Sequence, residues 1–189
     1  IILLRCRYGH GARPGYEKEW RGNADLAGGG ELLDQGIHAI DLFRWFAGDF
    51  TEVFGWTATK VWNISPLEDN AVALLKTSDG IIASLHASWT QWKNLFSFEI
   101  FGQDGYLVVE GLGGSYGPEA LTVGRRKPES GPPIESRTEF SGPDASWSDE
   151  WNDFVAAIES GRKGGGEDGW AAMRLVDAIY QSARDNRPV

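Results

Sequence analysis

Two Asp-Gly pairs, each flanked by segments with apolar alternation, constrain the fold of this chain more than any other sequence feature. They stand in Ser78-Asp79-Gly80 and Gln103-Asp104-Gly105, and Asp-Gly is typical of the tight turns that join antiparallel strands. An antiparallel sheet is therefore the predicted centre of the fold. Its strands are predicted over residues 53–62, 71–77, 81–89, 96–101, 106–110, 121–125 and 134–140.

A further strand is predicted at residues 1–8, and a helix at residues 31–47 that stops before Gly48. Two more helices are predicted near the end of the chain, the first with a capping box at Ser146 and Asp149, and a flexible link over residues 161–166 separates them. This order predicts an α+β fold with an open, predominantly antiparallel β-sheet and helices packed on one face. The other sheet face is either covered by a second subunit or simply amphipathic.

The acidic composition limits the classes of partner. The chain has 27 acidic and 18 basic residues, so a basic surface for nucleic acid is not expected. No apolar run approaches the roughly 20 residues that a membrane-spanning helix needs. The single cysteine, Cys6, cannot form an internal disulfide and no secretory signal is visible, so we expect a cytoplasmic location.

The clearest candidate chemistry lies in residues 28–48, GGGELLDQGIHAIDLFRWFAG. On an α-helix Asp34 and His38 lie one turn apart on the same face, with Asp41 within roughly 60° of them. An Asp beside a His raises the basicity of the imidazole and orients the ring, as a general acid–base requires. The spacing also fits a structural Asp–His pair, or two ligands of a divalent metal, although no second cluster of ligands is evident.

The same segment resembles the signature GGG-x-L-x-D-x-G-x-H-x-x-D of the Gfo/Idh/MocA oxidoreductase family. The matching residues are Gly28, Gly29, Gly30, Leu32, Asp34, Gly36, His38 and Asp41. The final Arg187-Pro188-Val189, after a helix that follows Gly-Glu-Asp-Gly, is similar to the usual ending of the family. The resemblance implies that residues 1–189 form one C-terminal substrate and oligomerisation domain, with a separate N-terminal Rossmann domain that is absent from this chain.

The resemblance also implies an activity on a sugar, a polyol or a sugar derivative. His38 resembles the residue that takes the proton of the substrate hydroxyl, and Asp34 resembles the residue that orients that group, while a hydride passes to NAD or NADP. The nucleotide fingerprint and the catalytic Lys-Pro motif of the family belong to the Rossmann domain. We therefore expect no cofactor to bind this chain alone, and we expect it to be inactive by itself.

The long Gly-rich connection of residues 9–30 is a second candidate, because loops of this length in compact domains are usually functional or disordered. Its side chains can bind hydroxyls, a carboxylate or a phosphate, or stack on a sugar, although an ordered surface loop is an equal alternative. The candidate substrate-binding residues are His10, Arg13, Tyr16, Lys18 and Trp20. Outside this loop, His86 is predicted to be a satisfied sheet residue, Asp41 to be structural, and Cys6 to be inert core.

Three classes of function remain open at this point. The first is the substrate domain of a nicotinamide-dependent dehydrogenase, which forms a homo-oligomer through the sheet. The second is a non-catalytic binding or assembly module in which the sheet makes a dimer and the Asp34 and His38 side chains merely pack. The third is a family member that catalyses no redox reaction and acts instead as a lyase, an isomerase or a regulator. None of the three requires a metal site, and none is predicted.

Overall fold

The computed structural model of the chain describes residues 1–162 and 166–189 and centres on one eight-stranded sheet. The strands lie in the order β2-β3-β4-β1-β5-β6-β7-β8, and every neighbouring pair is antiparallel except β1 with β4. The predicted fold class is confirmed. The strands are β1 (Leu3–Gly9), β2 (Phe50–Ala58), β3 (Asn70–Thr77), β4 (Ile82–Ser88), β5 (Leu95–Phe101), β6 (Gly105–Glu110), β7 (Glu119–Arg125) and β8 (Ile134–Phe140).

Both Asp-Gly hairpins form as predicted, joining β3 to β4 and β5 to β6. The first strand does not lie at an edge: β1 enters between β4 and β5, parallel to one and antiparallel to the other. The β4–β5 connection therefore crosses the end of β1. As a result, three segments meet at one end of the central strands, where the candidate residues lie. They are the loop after Gly9, the connection between Ser88 and Leu95, and the turn after Glu110.

Two of the four helices cover one face of the sheet. The helices are α1 (Ala24–Ala27), α2 (Ile37–Ala47), α3 (Ser146–Ser160) and α4 (Gly166–Asp185). Helix α4 lies on β2 at Gly55, where a Cβ would stand 2.6 Å from the Cγ2 of Ile179. The Gly55 N–H donates to the buried hydroxyl of Ser182 at 3.1 Å. Because Gly55 has no side chain, α4 can approach the backbone of β2 closely.

The remaining long helix, α3, differs from expectation. Its predicted apolar stripe exists, but no residue of α3 is buried in the described chain, and Trp147 is 80% exposed. The predicted capping box is wrong: the helix begins at Ser146 without a side-chain cap from its N-cap residue, and the Ser146 N–H donates instead to Asp144. Residues 163–165, which make up half of the predicted flexible link, lie outside the described residues.

The core lies between the sheet and the two packed helices. Alternate residues of β1, β3 and β4 point into it, among them Cys6, as predicted, and burial raises the pKa of its thiol to about 12. The opposite sheet face carries exposed apolar side chains on β2 to β4 and the Arg5–Glu99 ion pair in its middle. Within the described residues, no helix combines the length and apolar character that crossing a membrane would require.

The turn between β2 and β3 is organised by one buried carboxylate. Asp69, fully buried, accepts hydrogen bonds from the backbone N–H groups of Lys60, Val61 and Trp62 at 2.7–3.1 Å and from the amide of Asn70 at 2.9 Å. Burial alone would raise the pKa of this carboxyl, but these donors outweigh it and hold the pKa below its ordinary value. The predicted strand 53–62 therefore ends at Ala58, because residues 60–62 bind Asp69 instead of a neighbouring strand.

We expect Asp69→Ala to lower the free energy of unfolding by about 2–4 kcal/mol, because the N–H groups of the β2–β3 turn lose the carboxylate that accepts from them. Asp69→Asn, which keeps one acceptor oxygen, should lose less. The folded pKa of Asp69 is depressed, so its stabilisation is present above the unfolded value near pH 4 and is lost as the pH falls further. Urea unfolding followed by tryptophan fluorescence at several pH values measures this. Equal stability of Asp69→Ala and the wild type would contradict the role.

Candidate functional site

The segment that carries the predicted acid–base pair is held at its start by Glu68. The carboxylate of Glu68 accepts from the N–H groups of Gly30 at 3.2 Å and Leu32 at 2.9 Å, and its backbone carbonyl accepts from the N–H of Glu31 at 3.1 Å. A Cβ on Gly30 would stand 2.0 Å from that carbonyl oxygen, so only glycine allows this approach. An acidic side chain at the amino end of a helix also complements the helix dipole.

The predicted single helix of residues 31–47 is in fact two consecutive helical forms. Leu32–Gly36 is a π-helical turn, and α2 begins only at Ile37. Asp34 therefore lies in the wider turn and His38 in the first α-helical turn, so their relative placement differs from that on a regular α-helix. Such π turns are frequent at functional sites. Gly36 is buried in this turn, with a hypothetical Cβ 3.2 Å from the Cβ of Ala87 on β4.

Asp34 pairs with an arginine that the sequence analysis did not select. The Nε of Arg21 donates to both carboxylate oxygens of Asp34, at 3.2 and 3.0 Å, and the guanidinium stacks on the ring of Trp20 at 4.4 Å. This ion pair orients the Asp34 carboxylate. His38 is exposed and has no hydrogen bond to any of the described residues, so the direct Asp34–His38 interaction that the spacing allowed is not formed here.

Asp34 and His38 nevertheless face a common space. Both line a cavity of about 300 Å³, which we call the first cavity. Most of its wall is apolar, so a ligand there would approach His38 across a surface with few competing polar groups. The lining residues are Trp20, Arg21, Ala27, Gly29, Leu33, Asp34, Ile37, His38 and Trp89.

A second cavity, of about 310 Å³, lies on the other side of the ion pair and shares Arg21 and Asp34 with the first. Its wall is more polar and is built from the loop after β1, the π turn, the β4–β5 connection and the turn after β6. The lining residues are His10, Ala12, Arg13, Tyr16, Glu19, Arg21, Asp34, Gln35, Asn94, Ser115 and Tyr116.

The candidate loop residues divide between these cavities. Trp20 lines the first, and His10, Arg13 and Tyr16 line the second, whereas Lys18 is exposed and lines neither. The loop itself is ordered by two 3₁₀ turns, Tyr16–Lys18 and Trp20–Gly22, and by α1. Tyr16 is buried against Trp89, with ring centroids 4.9 Å apart, and burial raises the pKa of its hydroxyl.

His10 has a defined tautomer in this arrangement. Its Nδ1 accepts the N–H of Ala12 at 2.9 Å, so the ring proton of the neutral imidazole resides on Nε2. Burial lowers the pKa of His10, and the cations Arg21 and Arg13 act in the same direction against the nearby Asp34. His10 is therefore neutral at pH 7 and can donate a hydrogen bond to a ligand.

Two residues with sequence-based predictions, His86 and Asp41, lie away from the cavities. His86 lies on β4 within hydrogen-bond distance of Asn70, 3.4 Å, and Gln91, 3.3 Å, in keeping with a sheet residue whose polar atoms are satisfied. Asp41 is exposed on α2. No group of three or more His, Cys, Asp or Glu residues suited to a metal ion occurs in residues 1–162 and 166–189.

Several residues of the site carried no signal in the sequence. Arg21 could have been noticed as the one cation next to Trp20 in the candidate loop, but its partner Asp34 is 13 positions away. Glu68 enters the site through its long-range contact with Gly30 and Leu32, whereas Trp89, Asn94, Ser115 and Tyr116 are brought there by the strand order. Nothing local distinguishes such residues before the strand order is known.

A buried acid lies beneath the ion pair. Glu31 is fully buried, and neither of its carboxyl oxygens has a hydrogen-bond partner in the described part of the chain. Burial raises the pKa of Glu31 well above its ordinary value, and the nearby carboxylates Asp34 and Glu68 raise it further, while Arg21 opposes them. Glu31 therefore holds its proton more tightly than an exposed glutamic acid does.

Replacing this acid should change how stability depends on pH. Because the folded pKa of Glu31 is raised, the wild type loses stability as the pH rises above the unfolded value near 4.3, by up to about 1.4 kcal/mol per pH unit. Glu31→Gln cannot ionise, so its stability relative to the wild type should rise as the pH increases above about 4.3 and stay constant below about pH 4. Urea unfolding across this range tests it, with the exposed Glu159→Gln as control. A difference that does not vary with pH would contradict a raised pKa.

Comparison with known proteins places this geometry in a family. A family model described as "GFO/IDH/MocA C-terminal domain" matches residues 1–108, more than half of the chain. The match includes the Gly-rich segment, the π turn, α2 and the first five strands, and so contains Asp34, His38 and the loop candidates.

Solved structures share the fold along the whole chain. The chain is 25% identical to an aldose-aldose oxidoreductase from Caulobacter crescentus complexed with glycerol, with a TM-score of 0.82. It is 21% identical to a levoglucosan dehydrogenase in its apo form, with a TM-score of 0.83, and 23% identical to the WlbA dehydrogenase from Bordetella pertussis in complex with NADH and UDP-GlcNAcA, with a TM-score of 0.73.

All of this chain is matched in each comparison, but only 55%, 58% and 54% of those three chains, respectively. The chain thus spans just over half the length of the solved structures that it matches. The open sheet and the helices on one of its faces agree with the family model that matches the sequence. The chain belongs to the Gfo/Idh/MocA family and corresponds to the C-terminal domain of its members.

Proposed function

We propose that this chain is the substrate-binding domain of a nicotinamide-dependent oxidoreductase that acts on a sugar, a polyol or a sugar derivative. The observation that carries the proposal is the first cavity, where His38 and the anchored carboxylate of Asp34 face the same space. The names of similar solved proteins support the substrate class: one is a levoglucosan dehydrogenase in complex with NADH and levoglucosan, and another is an aldose-aldose oxidoreductase.

In this proposal the chain supplies the group that accepts the substrate proton and the group that orients it. A substrate hydroxyl in the first cavity donates its proton to a ring nitrogen of His38 as the carbon–hydrogen bond of the same carbinol breaks. Asp34 orients the hydroxyl or the protonated ring, and the ion pair with Arg21 fixes the direction of its oxygens.

The cofactor, NAD or NADP, accepts the hydride when it is bound in the full-length protein. After β1 the chain forms one-turn 3₁₀ helices, whereas a dinucleotide-binding fold has a glycine-rich turn that opens a long helix, and this difference supports a cofactor site elsewhere in the full-length protein. We therefore assign cofactor binding to an N-terminal Rossmann domain of the full-length protein. On this proposal residues 1–189 form a single domain that cannot turn over substrate alone.

We expect His38→Ala in the full-length protein to lower kcat by about 10²- to 10⁴-fold, because the proton loses its acceptor, while the Kd for the nicotinamide cofactor changes little. Asp34→Asn should lower kcat less. The assay follows reduced-cofactor absorbance with a panel of sugars and polyols and with both NAD and NADP, and cofactor binding is measured by fluorescence titration.

The control is Asp41→Ala, which removes an exposed side chain of the same helix that lines neither cavity and should leave kcat near that of the wild type. If His38→Ala turned over substrate as fast as the wild type, His38 would have no part in the chemistry. The alternative, a non-catalytic binding or assembly module, would then be favoured.

The proposal also includes a homo-oligomer formed through the open sheet face. Apolar side chains are exposed there on adjacent strands: Trp56 on β2, Val72 and Leu74 on β3 and Ile82 on β4, with exposures between 39% and 51%. A contiguous apolar patch of this kind is typical of an interaction surface. Two copies related by a two-fold axis would bury the same patch on both partners.

We expect Leu74→Lys to dissociate the oligomer, because it places a charge in the middle of the buried patch. Sedimentation equilibrium of the full-length protein measures the mass directly. The matched control is Val61→Lys, which adds the same charge at an exposed position in the β2–β3 turn. A wild type that is monomeric at all concentrations, or a Leu74→Lys variant with the wild-type mass, would exclude this interface.

A further inference from the structure

The two cavities border on the same ion pair. Among the described residues, Arg21 and Asp34 are the two that line both cavities. A ligand beside His38 in the first cavity would therefore lie close to the pair that also borders the second cavity. Each cavity, of about 300 and 310 Å³, lies at the lower end of the range for ligand sites, about 300–1,000 Å³.

The second cavity presents hydrogen-bonding groups that the fold does not use. The hydroxyl of Tyr116 accepts from the Nε2 of Gln35 at 2.8 Å, which leaves its own proton free to be donated. The side chains of Asn94 and Ser115 have no hydrogen-bond partner within residues 1–162 and 166–189. With the neutral Nε2–H of His10, four groups from three separate segments converge on one space.

The charges of the second cavity cancel. Arg13 is paired with Glu19 at 2.8 Å, and Arg21 is paired with Asp34 at 3.0 Å. Each cation is therefore already neutralised by a carboxylate, which disfavours a phosphate or a uronate, since an anion would have to displace one of the acids. Neutral hydroxyl groups suit such a wall, because they both donate and accept hydrogen bonds.

Aromatic rings complete this wall. Tyr16 and Tyr116 both line the second cavity, and Tyr116 is fixed by an edge-to-face contact with Tyr8, with ring centroids 5.6 Å apart. A rigid aromatic side chain offers an apolar surface with a polar tip. A pyranose ring has the matching character, with apolar C–H faces and a rim of hydroxyl groups.

We propose that the second cavity binds the second ring of a neutral disaccharide or glycoside whose first ring is oxidised beside His38. This inference rests on the proposed function and adds a substrate class to it. Asn94, Ser115 and Tyr116 are then specificity residues that contact the ring that does not react, and the Arg21–Asp34 pair lies next to the glycosidic linkage.

The test compares single sugars with two-ring sugars on the full-length enzyme. D-Glucose is compared with maltose and cellobiose, and D-galactose with lactose and melibiose, as kcat/KM with the preferred nicotinamide cofactor. We expect at least one disaccharide to exceed its monosaccharide by about tenfold or more, because additional hydroxyl groups are bound. Asn94→Ala should reduce that ratio by about threefold to tenfold, the effect of one lost hydrogen bond.

Ser115→Phe provides a second variant, because it fills the second cavity and should lower kcat/KM for the disaccharide far more than for the monosaccharide. Lys93→Ala, an exposed neighbour of Asn94 that lines neither cavity, is the matched control and should leave the ratio unchanged.

The outcomes separate this inference from the proposed function. Monosaccharide turnover that depends on His38 but equals or exceeds that of every disaccharide overturns the inference alone. Equal losses for one-ring and two-ring sugars in Asn94→Ala and Ser115→Phe also overturn it. Absence of turnover with every sugar and polyol would overturn the inference and the proposed function together.

Discussion

The site depends on the buried carboxylate of Glu68, which holds the start of the π turn. Three consecutive N–H groups, at residues 30–32, donate to the carboxylate or the backbone carbonyl of Glu68, and the hydroxyl of Tyr180 on α4 donates to the carboxylate at 2.9 Å. One side chain thus joins the β2–β3 turn, the Gly-rich segment and the last helix. Unmet N–H groups at a buried helix start would be costly, so this contact fixes where Asp34 and His38 lie.

Two acids in contrasting surroundings share this region. Glu31 lies below without a hydrogen-bond partner in the described chain, whereas Asp34 lies above in an ion pair with Arg21. A second carboxylate so close to Asp34 would be repelled and poorly solvated, which raises the pKa of Glu31 well above its ordinary value. Of these two acids, Asp34 is the one that lines both cavities.

The features of this fold that depend on neighbouring residues, namely the two hairpins and the first long helix, were predictable from the sequence. The hairpins formed at both Asp-Gly pairs because a tight turn is determined by neighbouring residues, and the helix near residues 31–47 was expected from its apolar face. The insertion of β1 between β4 and β5 and the contact of Glu68 with Gly30 were not foreseen, because they join residues more than 30 positions apart. The motif identified Asp34 and His38, but neither the π turn nor the partner Arg21 leaves a local pattern.

The π turn has a consequence for how this segment tolerates changes in length. A π turn accommodates one residue more than the α-helical turn it replaces, so it is equivalent to an insertion that the helix has absorbed. Removing one residue from positions 32–36 would restore regular α-helical geometry and rotate everything upstream by about 100° relative to α2. Gly30 would then lose its contact with Glu68, or Asp34 and His38 would no longer line the same cavity. The extra residue allows the anchored segment at residues 30–32 and the cavity-lining His38 to keep their positions on one continuous helix.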